Sequence, residues 1–334
     1  MVSVYVSGAT GFIAQHIVSQ LVAKKYNVIG SVRSAEKGEQ LKKDLGSDLF
    51  EYEIVEDIVT PGAFDESLKK HPEVTVFLHT ASPFHFNTTD VEKDLLKPAI
   101  EGTKNALKSI KEYGPQITKV VVTSSYAAVA PPDGSPEAPR EMILTEESWN
   151  PADLEKALKF PNLGYRASKT FAERAAWEFL ETEKPNFTLN CVNPSFVFGP
   201  QAFKSGVRST LNTSSEVLNA IVKAGTDESK VPQSIGGFVD VRDVARAHLH
   251  GFESDVTNFR YLLVTSRFAT QDIVDIINEK IPSLKGKIIV GTPGSGKEKT
   301  DKIAQVDNTK TKEKLGEFIS LEDSVIDSIK QIVE

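Results

Sequence analysis

Tyr165 and Lys169 form the one Tyr-x-x-x-Lys pair of the chain, and these two residue types at this spacing can move a proton. Residues four positions apart lie on the same face of an α-helix, so the pattern predicts that the Lys169 ammonium lies near the Tyr165 hydroxyl. A free phenol has a pKa near ~10 and is a poor acid–base group at neutral pH. We therefore expect Lys169 to lower the pKa of Tyr165 and fit it for general acid–base catalysis.

Ser125 follows the apolar run Lys119 to Thr123, which is typical of a strand. Ligands of open α/β sheets lie outside the carboxyl ends of the strands, so a hydroxyl here points to where chemistry would occur. It could donate a hydrogen bond to a carbonyl oxygen as negative charge develops on that oxygen. The alternative is a serine that only caps the following turn.

A glycine-rich turn stands near the start of the chain, where Gly8, Gly11 and Ala14 form a Gly-x-x-Gly-x-x-Ala pattern. The apolar run Val2 to Ser7 precedes this turn, and the amphipathic segment Phe12 to Lys24 follows it. Strand, turn and helix in this order are typical of a dinucleotide site, because glycine lets the backbone approach the pyrophosphate and the helix N-terminus faces its charge.

The end of the second predicted strand indicates which dinucleotide binds. An acidic residue there binds the ribose 2′-hydroxyl of NAD, whereas an arginine accommodates the 2′-phosphate of NADP. This chain has Arg33 at that place and Lys37 one turn further on, which favours NADP. Asp57 follows the third strand and could meet the adenine, or it could be an ordinary loop carboxylate. The small residues after His79, including Ala81, would let the fourth strand approach the cofactor.

Strand–helix alternation over the first 193 residues predicts an α/β fold, a doubly wound parallel (Rossmann) sheet with a smaller C-terminal α/β lobe. We expect the dinucleotide-binding domain to comprise residues 1–193 and about 238–265, with Phe238 to Val241 returning to the main sheet. The substrate-binding lobe would comprise residues about 194–237 and 266–334. The predicted strands and helices of the first domain are Val2–Ser7, Phe12–Lys24, Asn27–Val32, Ala35–Leu45, Phe50–Val55, Val74–His79, Val91–Tyr113, Lys119–Thr123, Tyr165–Glu181 and Phe187–Asn193.

Composition narrows the function classes. The 334 residues carry a formal net charge of −7, which gives no support for nucleic acid as a partner. No apolar run approaches the ~18 residues of a membrane span, so we expect a cytoplasmic protein, monomeric or homodimeric, without membrane contact. Cys191 is the only cysteine, which indicates a core thiol and no thiolate metal site. Gly291 to Lys297 resembles a P-loop, but Glu298 replaces the Ser or Thr that binds Mg²⁺, so we interpret it as a turn.

Six segments together resemble the extended short-chain dehydrogenase/reductase superfamily. Within it, the chain looks like the yeast NADPH-dependent methylglyoxal and 3-methylbutanal reductases, which are related to plant dihydroflavonol reductases. Arg166, Ala167, Ser195 and Phe196 differ from the residues of these relatives, which bears on substrate preference and not on chemistry. The segments that carry the resemblance are Val6–Ala14, His79–Phe84, Thr123–Ala128, Tyr165–Lys169, Val192–Pro200 and Val239–Ala245.

The resemblance implies roles for individual residues. Ser125, Tyr165 and Lys169 would be catalytic, and Lys169 would also hold the nicotinamide ribose. A hydrophobic substrate pocket would be formed by Phe84, Tyr126 and Phe196, and no metal is expected. The residues that would bind NADPH are Gly8, Gly11, Phe12 and Ile13 at the pyrophosphate, Arg33 and Lys37 at the 2′-phosphate, Asp57 and Ile58 at adenine, Ala81 at the fourth strand, and Pro194 and Val197 at nicotinamide.

The expected function is a carbonyl reductase that acts on aldehydes and ketones, including methylglyoxal, branched aldehydes and bulky hydrophobic ketones. One alternative is a nucleotide-sugar epimerase or dehydratase on the same scaffold, which would need an acidic residue where Arg33 stands. Another is a non-catalytic NADP sensor, which would need the glycine turn but not Ser125, Tyr165 and Lys169.

Overall fold

The computed structural model describes residues 2–82, 90–132, 135 and 138–333, with only the backbone for residues 161 and 162. Short runs rich in valine and isoleucine form most strands of the main sheet, because such residues suit strands that are buried on both faces. The strands are β1 Ser3–Ser7, β2 Asn27–Val32, β3 Phe50–Ile54, β4 Val74–His79, β5 Lys119–Thr123, β6 Ile143–Leu144, β7 Thr188–Pro194, β8 Phe196–Phe198, β9 Ile235–Asp240, β10 Arg260–Leu263, β11 Ser266–Ala269 and β12 Gln305–Val306.

Helices alternate with the strands of the first half of the chain. The predicted helix Val91 to Tyr113 begins with a π-helical turn, Glu92–Leu96, before α4. Within the described residues, no helix has both the length and the apolar composition that a membrane span requires. The helices are α1 Phe12–Ala23, α2 Ala35–Leu45, α3 Asp65–Lys70, α4 Lys97–Tyr113, α5 Leu154–Lys159, α6 Pro161–Glu183, α7 Thr213–Ala224, α8 Val241–Glu253, α9 Thr270–Lys280, α10 Gly296–Thr300, α11 Thr309–Leu315 and α12 Leu321–Val333.

The main sheet has seven strands in the order β10-β7-β5-β4-β1-β2-β3. All neighbours from β7 to β3 are parallel. The strand order reverses its direction at β1, which places a topological switch point between β1 and β4, where such sheets bind ligands. The predicted doubly wound α/β fold is confirmed. Under the sheet, Tyr5 stacks on Phe77 with ring centroids 4.7 Å apart, and Phe64 meets both rings edge-on.

The chain divides into two compact units. The first unit comprises Met1–Pro131, Glu147–Asn193 and Ala245–Tyr261, and the second comprises Pro132–Glu146, Pro194–Val244 and Leu262–Glu334. The second unit contains a three-stranded sheet in the order β11-β9-β8 and a two-stranded sheet of β12 and β6. Its core gathers the rings of Phe198, Phe238 and Phe268 with aliphatic side chains of α7, α9 and α12.

Two boundary predictions are wrong. Phe238 to Val241 does not return to the main sheet, because β9 pairs with β8 and β11 instead. The Phe238 ring stacks on that of Phe198 at 5.5 Å in the core of the second unit, and β10 occupies the edge of the main sheet beside β7. The segment Pro132–Glu146 also belongs to the second unit, since its strand β6 pairs with β12.

Candidate active site

The glycine turn between β1 and α1 brings the backbone close to the end of β4. Gly8 has φ of +68°, a left-handed backbone conformation that residues other than glycine rarely adopt. A Cβ on Gly8 would lie 3.0 Å from Ala81, so only glycine fits here without a shift. The Gly8 N–H donates to Ser31 Oγ at 3.0 Å. Gly11 precedes α1 and provides no side-chain cap for its N–H groups, which leaves them suited to an anion.

A cleft of about 590 Å³ lies at the ends of β1, β2, β3 and β4, where the switch point predicts a ligand site. Arg33 and Lys37 stand at one side of the cleft, both exposed, and neither forms an ion pair with any residue that the structure describes. Two unpaired cations in one cleft are suited to a phosphate. The residues that line the cleft are Gly8, Thr10, Gly11, Ser31, Val32, Arg33, Lys37, Val55, Glu56, Asp57, Ile58, Thr80, Ala81 and Ser82.

The candidate catalytic hydroxyls lie together beyond the end of β5. Tyr165, in the first turns of α6, points its hydroxyl at Ser125 Oγ, 3.5 Å away. The N–H of Ala127 also donates to Ser125 Oγ, at 3.1 Å. Because these two donors use the oxygen of Ser125 as acceptor, its own O–H is left to donate elsewhere.

Lys169 lies one turn after Tyr165 on α6, as the spacing predicts. Its ammonium donates to Ser82 Oγ at 3.0 Å, and Ser82 is one of the cleft residues. Helix α6 is thereby connected to the cleft through one hydrogen bond. Burial lowers the pKa of Lys169 to about 8.

The prediction that Tyr165 has a lowered pKa is wrong. Burial of the phenol raises its pKa, and the hydrogen bond with Ser125 and the positive charge of Arg166 offset this only in part. Lys169 does not provide the predicted stabilisation of the phenolate, because its ammonium is directed to Ser82. Tyr165 is therefore protonated at neutral pH, which is the form of a proton donor.

Five other predicted site residues lie in the first unit. Asp57 and Ile58 line the cleft, and Asp57 Oδ1 also accepts the N–H of Val59 at 2.9 Å. Phe12 and Ile13 form the start of α1 and are not among the lining residues. Tyr126 is buried in a short 3₁₀ turn directly after Ser125.

The remaining predictions fall in the second unit or outside the described residues. Pro194 is the last residue of β7, and Phe196 and Val197 begin β8. The Phe196 ring packs edge-on against Phe268, with centroids 5.4 Å apart. Phe84 lies outside the described residues. The roles of Phe84 and Phe196 in the substrate pocket, and of Pro194 and Val197 at the nicotinamide, stay predictions.

Several cleft residues were missed by the sequence reasoning. Thr80 and Ser82 belong to the small-residue segment after His79, so their positions in that motif were a usable signal. Ser31 and Glu56 lie at strand ends without any distinguishing pattern, and only the fold reveals that they face the cleft.

Two further predictions concern residues away from the cleft. Cys191 is fully buried, and burial raises the pKa of its thiol, so it is a core residue as predicted. The P-loop-like segment Gly291 to Lys297 follows no strand, and its last two residues begin the five-residue helix α10. It is a turn, also as predicted. The described residues contain no group of three or more His, Cys, Asp or Glu that could hold a metal ion.

Comparison with known proteins identifies the class of this fold and site. The model of the NAD dependent epimerase/dehydratase family matches residues 4–261, which is most of the chain. The protein belongs to this family, and its resemblance to the extended short-chain dehydrogenases/reductases is confirmed.

Individual relatives match almost the whole chain. The chain is 47% identical to the NADPH-dependent methylglyoxal reductase GRE2 of Saccharomyces cerevisiae, over 99% of this chain and 98% of that protein. The crystal structure of Gre2 from Candida albicans in complex with NADPH superposes with a TM-score of 0.96 at 54% identity, covering 100% of this chain and 99% of that one. The yeast methylglyoxal/isovaleraldehyde reductase Gre2 complexed with NADPH gives a TM-score of 0.95 at 46% identity, covering 99% and 98%.

Proposed function

We propose that this protein is an NADPH-dependent carbonyl reductase that reduces aldehydes and ketones to alcohols. The observation that carries the proposal is the pair of Ser125 and Tyr165 hydroxyls, 3.5 Å apart. Tyr165 lies on the same helix as Lys169, which donates a hydrogen bond to Ser82 of the cleft. The relatives named as NADPH-dependent reductases match essentially the full chain. Methylglyoxal, branched aldehydes and bulky hydrophobic ketones are the substrates we expect.

The cleft residues fit NADPH. Gly8 and Gly11 carry no side chain at the place where a pyrophosphate must approach the start of α1. Arg33 and Lys37 supply positive charge at the end of β2 and the start of α2, where the 2′-phosphate of NADP is bound in sheets of this type. Asp57 and Ile58 would flank the adenine. Pro194 and Val197 would contact the nicotinamide.

The reaction adds a hydride to the carbonyl carbon and a proton to the carbonyl oxygen, and bound NADPH supplies the hydride. Tyr165 is protonated at neutral pH because burial raises its pKa, so it can donate the proton. Ser125 can donate its own hydrogen to the same oxygen while its Oγ accepts the N–H of Ala127. Lys169, a cation below a pH of about 8, donates to Ser82 at the cleft and would hold the nicotinamide ribose.

The nucleotide-sugar epimerase or dehydratase is less well supported. Such an enzyme needs an acidic group for the ribose hydroxyls at the end of β2, where this chain has Arg33. A non-catalytic sensor would not need two hydroxyls and an ammonium at the end of β5. A cytoplasmic location and a monomeric or homodimeric state remain predictions from the sequence.

A panel assay tests the proposal. The full-length protein is incubated with NADPH or NADH and with methylglyoxal, 3-methylbutanal or an aryl ketone, and loss of the reduced nicotinamide is followed by absorbance. In a parallel arm, UDP-glucose is supplied with NAD and its conversion is followed by chromatography. We expect carbonyl-dependent oxidation that is faster with NADPH. Conversion of the nucleotide sugar without oxidation by any carbonyl would contradict the proposal.

A further inference from the structure

A carboxylate is buried directly behind the catalytic hydroxyls of the first unit. Glu173 lies two turns after Tyr165 on α6 and is 1% exposed. Its Oε2 accepts hydrogen bonds from Ser124 Oγ at 2.5 Å and from Asn193 Nδ2 at 2.6 Å. Its Oε1 accepts from Arg260 Nε at 2.6 Å and from Trp177 Nε1 at 3.2 Å. Each oxygen of this buried carboxylate therefore has two donors.

Arg260 balances the charge of Glu173. The arginine side chain is itself almost wholly buried. Its guanidinium lies 4.0 Å from the ring centroid of Trp149, and Nη1 donates to the carbonyl of Ser148 at 2.6 Å. These contacts hold the guanidinium independently of the carboxylate, so Arg260 presents a fixed positive charge to Glu173.

Two of the four donors connect Glu173 to Ser125. Ser124 directly precedes Ser125 in the chain, and Asn193 Nδ2 also donates to the Ser125 carbonyl, at 3.2 Å. Both partners of this Asn193 amide nitrogen are acceptors that carry no hydrogen, so the orientation of the amide is fixed by chemistry. The Glu173 carboxylate thus holds Ser124 through the Ser124 hydroxyl. It holds Ser125 through Asn193, whose amide also donates to the Ser125 carbonyl.

We propose that Glu173 is a positioning residue of the reductase, one that holds the backbone of Ser125 so that its hydroxyl faces that of Tyr165. This inference rests on the proposed function. Glu173 touches neither the Ser125 nor the Tyr165 hydroxyl, and it acts through Ser124 and Asn193.

A stabilising role alone is a poor explanation for this arrangement. Taking two charges out of water costs several kcal/mol per ion, and apolar residues of similar volume often replace a buried ion pair without loss of stability. A buried pair can instead specify one geometry. At the end of β5, that geometry includes the orientation of Ser125, and a displacement of about 1 Å in a catalytic group can slow a reaction roughly 100-fold.

The experiment compares two variants that each remove one N–H donor from the same carboxylate. Asn193→Ala removes the donor on Oε2 that also holds Ser125, whereas Trp177→Phe removes the donor on Oε1, on the Arg260 side. Each variant is assayed for kcat and KM with NADPH and 3-methylbutanal well below its melting temperature, and each is crystallised. Glu173→Gln is assayed alongside them, because it exchanges one acceptor oxygen for a donor without changing size.

We expect Asn193→Ala and Glu173→Gln to lower kcat roughly 10- to 100-fold with little change in KM, and Trp177→Phe to leave kcat unchanged. The distance from Ser125 Oγ to Tyr165 Oη should change in the Asn193→Ala crystal. If Asn193→Ala and Trp177→Phe have equal kcat, or if Ser125 keeps its position in the Asn193→Ala crystal, the positioning role is wrong. A parent enzyme that reduces no carbonyl would refute the proposed function instead, and the crystal comparison would still decide on Glu173.

Discussion

At the scale of single residues, the environment of Tyr165 decides in which direction it can act. A phenol with a raised pKa is a proton donor at neutral pH, whereas the sequence suggested a lowered pKa. The spacing of Tyr165 and Lys169 correctly indicated a shared helix face. Burial and the partner of the ammonium are properties of the assembled fold, and a spacing pattern contains neither. The same limit applies to Glu173, because three of its four donors, Ser124, Asn193 and Arg260, come from other parts of the chain.

Arg33 supports a prediction on cofactor choice. An arginine–phosphate contact is a charge-assisted hydrogen bond, so Arg33→Ala should cost roughly 1.5–3 kcal/mol of NADPH affinity, about 10- to 150-fold in Kd. The affinity for NADH should hardly change. Both constants can be measured by titrating the fluorescence of the reduced nicotinamide.

Lys43 offers a matched control for that measurement. It is an exposed cation on α2, like Lys37, but it does not line the cleft. Lys43→Ala should therefore bind NADPH as the parent does. Equal weakening of NADPH and NADH by Arg33→Ala would show that Arg33 does not contact the 2′-phosphate.

At the scale of secondary-structure elements, the sequence predicted best where a strand is buried on both faces and ends at a turn. The ends of β2, β4, β5 and α2 agree with the prediction. The prediction failed for β9. The glycines of this strand and its one large ring, Phe238, are also typical of a main-sheet strand, and only the packing partners of Phe238 show where the strand belongs. Of the site, the cleft residues at motif positions were predictable, whereas Ser31 and Glu56 depend on the register of the sheet.

The turn from β1 to α1 yields a prediction with an internal control. Gly8 and Gly46 both have left-handed backbone, with φ of +68° and +56°. Substitution of either by alanine should cost about 1 kcal/mol of unfolding free energy. A Cβ at Gly46 has nothing within 4 Å, whereas one at Gly8 meets Ala81.

Only Gly8→Ala should weaken NADPH binding, by at least roughly tenfold, which corresponds to ~1.4 kcal/mol. Thermal unfolding gives the stability of the two variants, and fluorescence titration gives their NADPH affinity. If Gly46→Ala lost affinity to the same extent, the loss would reflect stability and not the shape of the turn.

The residues at the end of β4 predict how the free energy of unfolding depends on pH. Ser7 Oγ accepts the N–H groups of Thr80 and Ala81, so its hydroxyl donates to His79 Nδ1 at 2.9 Å. Burial, followed by the charge of Lys169, lowers the pKa of His79 to about 3. The folded state therefore keeps His79 neutral, while the unfolded chain takes up a proton as pH falls below ~6.5.

Stability is consequently lost as pH falls from ~6.5 towards 3, because the unfolded state binds more protons over that range. Between about pH 7 and about pH 5, His79 should account for a loss of about 2 kcal/mol of unfolding free energy. In His79→Asn, the amide oxygen can replace Nδ1 as acceptor but does not titrate. Urea unfolding of both proteins at the two pH values measures the difference, and an equal loss in parent and variant would refute it.

At the scale of the whole molecule, the second unit would provide specificity, as its sequence suggests. Its predicted pocket residue Phe196 is aromatic, and pockets of this kind derive affinity mainly from buried apolar area. Each methylene of an aliphatic aldehyde should contribute up to about 0.8 kcal/mol when buried. KM should fall along the series by up to about fourfold per methylene, and hydrophobic aldehydes should have lower KM than methylglyoxal.

Steady-state kinetics with aldehydes of increasing chain length test this trend. Phe196→Ala should shift kcat/KM towards bulky ketones and leave the smallest aldehydes little changed. Its packing against Phe268 predicts a lower melting temperature as well, so the assays are run well below it. If KM stays constant or rises with chain length, the substrate binds elsewhere or is held by a polar group.

The central claim is that Tyr165 donates the proton in NADPH-dependent carbonyl reduction, and Tyr165→Phe tests it most directly. The substitution keeps the ring and removes only the hydroxyl that faces Ser125. The measurement is the turnover of 3-methylbutanal with NADPH, alongside NADPH affinity from fluorescence titration. We expect kcat to fall by at least roughly 100-fold, the lower range for loss of a general acid, with NADPH affinity retained. Turnover equal to that of the parent would contradict the account.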